Sequence, residues 1–152
     1  MIKTGEKAPD FELKDTFGNL VKLSTFKGKE VVLYFYPKDN TPGCTAEACS
    51  FRDNYSLYKK ENIVIIGVSK DDEKSHKKFV EKYELPFTLL ADTEKKVCKL
   101  YEVWGKKKFM GREFEGIIRT TFLIDKQGKI KEILKDIDCK KHADDVIKIL
   151  RD

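Results

Sequence analysis

An α/β domain is predicted by three features of the sequence. Two short apolar runs, Val31-Val32-Leu33-Tyr34-Phe35-Tyr36 and Ile63-Val64-Ile65-Ile66-Gly67-Val68, have the β-branched and aromatic content of strands buried on both faces. Residues 45–60 between them carry good helix formers and no Gly or Pro, so the unit is strand, helix, strand, a right-handed parallel crossover. Further on, helical and strand patterns continue to alternate, and the chain closes on an amphipathic stretch.

Each element follows from local pattern. Residues 11–23, FELKDTFGNLVKL, are two alternating segments around Phe17-Gly18-Asn19, which predicts an N-terminal hairpin. The strand Val31–Tyr36 stops at Pro37, and Asn40, Pro42 and Gly43 supply loop and helix-start chemistry, so a helix is expected to begin near Cys44 and run to residue 60. Its inner stripe is Ala48, Phe51, Tyr55 and Tyr58. After the Ile63–Val68 strand, a helix is expected over Asp72–Tyr83, capped by Asp71, with Phe79 and Tyr83 facing inward. Phe87–Leu90 reads as a short strand. Asp92 then caps a helix to about Val103 that buries Val97, Leu100 and Tyr101. Residues 104–116 read as a polar connection broken by three glycines. Ile117–Asp125 and Ile130–Lys135 are strands separated by Lys126-Gln127-Gly128, and Lys141–Leu150 is a helix with Ala143, Val146, Ile147 and Leu150 inside. This order is that of a thioredoxin-like fold with an N-terminal β-hairpin extension and an inserted helix.

The chain of 152 residues fits one domain, 1–152, with no linker-like stretch to divide it. Apolar residues make up 40% and fall in periodic blocks, which excludes a disordered chain despite 38% charged residues. The net charge of +5 is spread along the sequence; Lys106-Lys107-Lys108 is the longest basic run and reads as a solvated face, so no nucleic-acid partner is expected. Residues 1–30 hold no continuous apolar segment with a cleavage site, and no stretch reaches membrane-spanning length. A cytoplasmic protein without a membrane partner is expected. In that reducing compartment, cysteines 44, 49, 98 and 139 point to redox or metal chemistry more than to structural disulfides.

Cys44 stands where a buried strand gives way to the first turn of a helix. Free thiols titrate near ~8.5, and unpaired helix N–H groups or nearby cations lower that value, generating the thiolate that acts as nucleophile. Cys49 lies five residues on, which along an intact helix separates the two Cα atoms by roughly 8–9 Å. A disulfide spans at most about 7 Å, so any pairing of the two requires the helix start to unwind. The competing reading is that both are inert packing residues. Arg119 is expected in a strand among Ile117, Ile118 and Phe122, in a chain that otherwise favours lysine, which suggests planar, multi-donor hydrogen bonding; the alternative is an exposed strand residue. Thr41 by itself is equally a turn or cap residue.

The segment PKDNTPGC, with Pro37, Thr41 and Cys44, has the P-x-x-x-T-x-x-C pattern of the peroxiredoxins, and the continuation TAEAC resembles the PrxQ group, also called bacterioferritin comigratory protein. GEKAPDFEL, VVLYFYPKD and YEVWGKKKFMGREFEGIIRTTFLID are similar to the same group, so the resemblance spans nearly the whole chain. It implies that Cys44 is the peroxidatic cysteine and Cys49 the resolving one. Thr41 would hydrogen-bond the thiolate and bound peroxide, Pro37 would shape and shield the pocket, and Arg119 would be the active-site arginine. The implied cycle reduces hydrogen peroxide and organic hydroperoxides and is recycled by thioredoxin or a similar dithiol, in a monomer, with no cofactor or metal.

The cysteines and His142 also admit two other readings. A thioredoxin-like disulfide reductase is disfavoured by the lack of any C-x-x-C. A structural zinc module could use Cys44, Cys49, Cys139 and His142, Cys139 and His142 having C-x2-H spacing, although His142 reads as a solvated residue near a helix start. Cys98 reads as a packing residue.

Overall fold

The computed structural model describes residues 2–151. Strands β1 (Glu12–Lys14), β2 (Leu20–Lys22), β3 (Glu30–Phe35), β4 (Ile63–Ser69), β5 (Thr88–Ala91), β8 (Thr120–Ile124) and β9 (Ile130–Leu134) form one sheet in the order β2-β1-β5-β4-β3-β8-β9. The pairs β3/β4 and β4/β5 are parallel; β3/β8, β8/β9, β1/β2 and β1/β5 are antiparallel. The helices are α1 (Pro42–Asp53), α2 (Tyr55–Lys60), α3 (Glu73–Tyr83), α4 (Lys96–Leu100) and α5 (His142–Arg151).

The pleat of β3 divides the core. Val31, Leu33 and Phe35 join α4 and the N-terminal segment through Val97, Cys98, Tyr101 and Phe11, whereas Val32, Tyr34 and Tyr36 join α1, α2, α3 and α5 through Phe51, Tyr58, Phe79 and Val146. From Val31 onward β3 is therefore apolar, because both its faces are covered. Gly67 within β4 has a packing reason: a Cβ there would sit 2.7 Å from Leu89 and 2.9 Å from the Tyr34 ring. This is the expected thioredoxin-like layering with its hairpin extension and extra helix.

Several boundaries differ from expectation. The helix expected to run to residue 60 breaks at Asn54, whose side-chain amide donates back to the Ser50 carbonyl and whose backbone leaves the helical region, leaving α1 and α2. Asp72, not Asp71, caps α3, accepting from the Ser75 N–H; Asp71 is drawn instead to Ser69 and Asp39. The buried Asp92 carboxylate accepts from the N–H groups of Val97 and Cys98, so it does hold the start of a short α4, but Leu100 is exposed.

The largest correction concerns residues 104–116. They form a two-stranded ribbon, β6 (Trp104–Phe109) with β7 (Arg112–Ile117), closed by Met110 and Gly111, both at positive φ as a tight two-residue hairpin turn requires. The ribbon stands apart from the main sheet and is mostly solvated, so it carries little apolar signal. Consequently Arg119 does not lie within a strand: Ile118 and Arg119 are the link where the chain passes from β7 to β8. His142 is not solvated. It is buried at the start of α5, edge-on to Phe51, with Nε2 2.8 Å from the Thr121 hydroxyl.

Candidate active site

After β3, Tyr36 keeps a backbone bond to Val68, and the chain then leaves the sheet through Pro37 to Asn40, the latter at positive φ. The loop is pinned from inside. Asp39 is buried and accepts hydrogen bonds from the Tyr36 hydroxyl (2.5 Å) and the Ser75 hydroxyl (2.8 Å), and lies 2.6 Å from Nδ1 of His76. His76 Nε2 donates to the Leu90 carbonyl, and the Asp39 N–H donates to Asp71. Thr41 is the extended N-cap residue and Pro42 opens the helix, where its missing N–H costs nothing.

This places Cys44 in the first turn of α1, the residue only 1% exposed. Nη2 of Arg119 donates to Cys44 Sγ at 3.3 Å, and Nη1 donates to Oε1 of Glu47 at 2.5 Å. The guanidinium thus bridges a thiol and a carboxylate one helical turn apart, with its planar fork presenting a separate nitrogen to each. Gly43 belongs to the same arrangement: a Cβ on it would come 3.1 Å from Nη2. An arginine so placed supplies donors for negative charge on the sulfur or on an oxygen attached to it.

Glu47 was not singled out by the sequence, where it looks like any polar helix residue. It is fully buried, and its second oxygen has no hydrogen-bond partner among the described residues. Burial pushes its carboxyl up to about 7 against the pull of Arg119. Burial also opposes the charge on Arg119, but Glu47 and then Cys44 more than offset it and hold the guanidinium's pKa above its ordinary value. The two shifts pull the ion pair in opposite senses; because a guanidinium does not give up its proton, the carboxylate is the partner that titrates. Its helical spacing, i+3 from Cys44, is the one signal that could have marked it.

His142 Nε2 lies 3.6 Å from Glu47 Oε2, and burial, chiefly, holds its imidazole down at about 4. Lys107, from the basic run read as a solvated face, turns inward to donate to the Ile117 carbonyl at 2.9 Å; burial and then Arg119 depress its pKa.

Cys44 and Arg119 are in contact. Pro37 is half-buried at the strand end. The Thr41 hydroxyl donates to the Lys38 carbonyl at 2.8 Å rather than to Cys44, which leaves its oxygen as an acceptor. Cys49 is half-buried on α1 beside Arg52, its thiol pKa raised chiefly by burial, and both it and Cys44 are free thiols. The zinc reading is not supported: among the described residues the one cluster of potential ligand atoms is Asp39, Asp71 and His76, and His142 Nε2 is engaged with Thr121. Cys98 is fully buried in the core, as expected of a packing residue. No helix among the described residues is long and apolar enough to cross a membrane.

Residues 4–133 match the AhpC/TSA family. The sequence is 50% identical over 151 residues to peroxiredoxin Bcp of Bacillus subtilis (strain 168), covering 99% of this chain and 96% of that one. It is 44% identical to peroxiredoxin Bcp of Escherichia coli (strain K12), covering 99% and 97%. Among solved structures, a cysteine-to-serine mutant of Xylella fastidiosa PrxQ superposes with TM-score 0.93 at 31% identity, covering 99% and 96%. The bacterioferritin comigratory protein of Xanthomonas campestris, solved in trapped intermediate and ligand complexes bearing on its alkyl peroxide reduction activity, superposes at 0.90 and 32%, covering 99% and 98%.

Proposed function

Since this chain belongs to the AhpC/TSA family and is a thiol-dependent peroxidase, we propose that Cys44 is its peroxidatic cysteine and Cys49 its resolving cysteine. The observation that carries the first assignment is the Arg119 donor 3.3 Å from Cys44 Sγ. The Cys44 thiolate attacks one oxygen of ROOH, the O–O bond breaks, and ROH leaves after taking a proton, with Cys44 now a sulfenic acid. Arg119 holds the reacting oxygens as charge moves onto the leaving one. Thr41, its proton committed to Lys38, accepts a hydrogen bond from the peroxide, and Pro37 closes the side of the pocket.

Cys49 then attacks the sulfenic sulfur, water leaves, and a disulfide forms; an external dithiol, thioredoxin or one like it, restores both thiols by exchange. α1 spans both cysteines without a break, and a disulfide across that helical spacing exceeds the ~7 Å reach of the bond, so resolution includes unwinding of the helix start. Hydrogen peroxide and organic hydroperoxides are the substrate class. The chain acts as one domain, 1–152, as a monomer in the cytoplasm, without cofactor, metal or nucleic acid.

The experiment follows peroxide loss with thioredoxin and its reductase and, in a separate thioredoxin-free assay with dithiothreitol, any acceleration of insulin disulfide reduction. Fast peroxide consumption without insulin reduction is expected, and the converse would establish a disulfide reductase instead.

A further inference from the structure

Cys139 is the one remaining thiol close to the reacting sulfur. It lies between β9 and α5, in a turn closed by the Lys141 N–H to the Asp138 carbonyl. The side chain is half-buried, not sealed in the core as Cys98 is. A Cβ placed on Gly43 would be 3.8 Å from Cys139 Sγ and 3.1 Å from Arg119 Nη2, and that same nitrogen is 3.3 Å from Cys44 Sγ. Cys139 Sγ therefore lies next to Gly43, the residue that precedes Cys44, within the electrostatic reach of the arginine that donates to Cys44.

A second observation falls on the same cluster. Glu47 Oε2 and His142 Nδ1 are buried with no hydrogen-bond partner among the described residues, and the charges of Arg119, Glu47 and Cys44 all act on Cys139. Burial raises its thiol pKa, Arg119 opposes that, and Glu47 adds to it. Glu47, with a buried oxygen that no hydrogen bond satisfies among the described residues, is thus within electrostatic reach of a thiol that must lose a proton to react.

We infer that Cys139 is a second resolving thiol, able to capture the Cys44 sulfenic acid from outside α1. The inference rests on Cys44 being the peroxidatic residue. The Cys139 thiol loses its proton and its sulfur attacks the Cys44 sulfur; the S–O bond breaks, hydroxide leaves with that proton as water, and an S–S bond forms. Cys139 is oxidised and the sulfenic sulfur reduced, so no further oxidant or reductant takes part. Cys49 shares α1 with Cys44 and reaches it only when their common helix opens, whereas Cys139 approaches from a turn belonging to another segment. Behind that turn, α5 is fixed by the Ala143 N–H to the Ser50 hydroxyl and the Tyr58 hydroxyl to the Ala143 carbonyl, so movement is confined to the few residues before it.

The test uses Cys49→Ser and Cys49→Ser/Cys139→Ser, each treated with one equivalent of hydrogen peroxide, quenched in acid, mapped by peptide mass, and labelled in parallel with dimedone. Cys49→Ser is expected to yield an intramolecular 44–139 disulfide and to lose dimedone labelling at Cys44 at least tenfold faster than the double variant, which retains it. Repeating the double substitution with Cys139→Ala controls for any effect of the introduced hydroxyl. Equal dimedone labelling in the single and double variants, or a 44–139 link only between two chains on a non-reducing gel, overturns the inference. Absence of any oxidised Cys44 in every variant overturns the assignment of Cys44 as well, and so separates the two failures.

Discussion

Nη2 of Arg119 donates to Sγ of Cys44 at 3.3 Å while its other amino nitrogen holds Glu47. A hydrogen bond to a charged partner is worth roughly 1.5–3 kcal/mol. Arg119→Met is therefore expected to lower the second-order rate of Cys44 oxidation by about 10- to 100-fold. Arg119→Lys keeps the charge but loses the fork, and is expected to recover only part of that loss. Stopped-flow oxidation of the reduced protein measures both; an Arg119→Lys variant at the native rate would show that charge alone suffices.

Glu47 gives the site a pH dependence. The folded carboxyl keeps its proton up to about 7, while the unfolded one releases it near the ordinary 4.5, so between those values the folded state binds more protons. Stability from this group is full below the lower value and is lost as pH rises through the upper. Relative to Glu47→Gln, the native chain is expected to lose on the order of 1–3 kcal/mol between pH 4.5 and pH 8. Denaturant melts of the two proteins across that range measure the difference.

His142 acts in the opposite sense. Its folded pKa is held down at about 4, below the ordinary 6.5, so the unfolded state takes up a proton first as pH falls. The stability it contributes is present above 6.5 and lost on descending towards 4. Melts of His142→Gln beside the native chain are expected to show the native protein losing more between pH 7.5 and pH 4.5, and equal slopes would contradict this.

The central strands were legible because β3 and β4 are apolar on both faces, and Cys44 was legible because a strand end, a Pro/Gly loop and a helix start converge on it. The ribbon β6–β7 was not, since a solvated two-stranded element leaves neither face apolar, and only the Met110-Gly111 turn marks it. Arg119 was found for its chemistry but misplaced, because Ile117 to Asp125 looks continuous while the chain in fact changes sheets at Ile118 and Arg119. Glu47, His76 and His142 carry no local mark of burial in the sequence. Their burial depends on partners distant in sequence, Arg119, Asp39 and Thr121, that local pattern cannot supply.

Resolution by Cys49 requires part of α1 to open. Amides of residues 45–49 are expected to lose hydrogen-exchange protection in the disulfide form, while Tyr36 and His76, tied through Asp39, keep theirs. Unchanged protection of 45–49 after oxidation would mean that no unwinding occurs.

The most direct test is mass spectrometry of the reduced protein after one equivalent of hydrogen peroxide, for the native chain and for Cys44→Ser, with peroxide consumption followed in parallel. The native chain is expected to lose two hydrogens and to yield a peptide joining Cys44 to Cys49, and Cys44→Ser to leave peroxide unconsumed. Peroxide reduction by Cys44→Ser at the native rate would contradict the account.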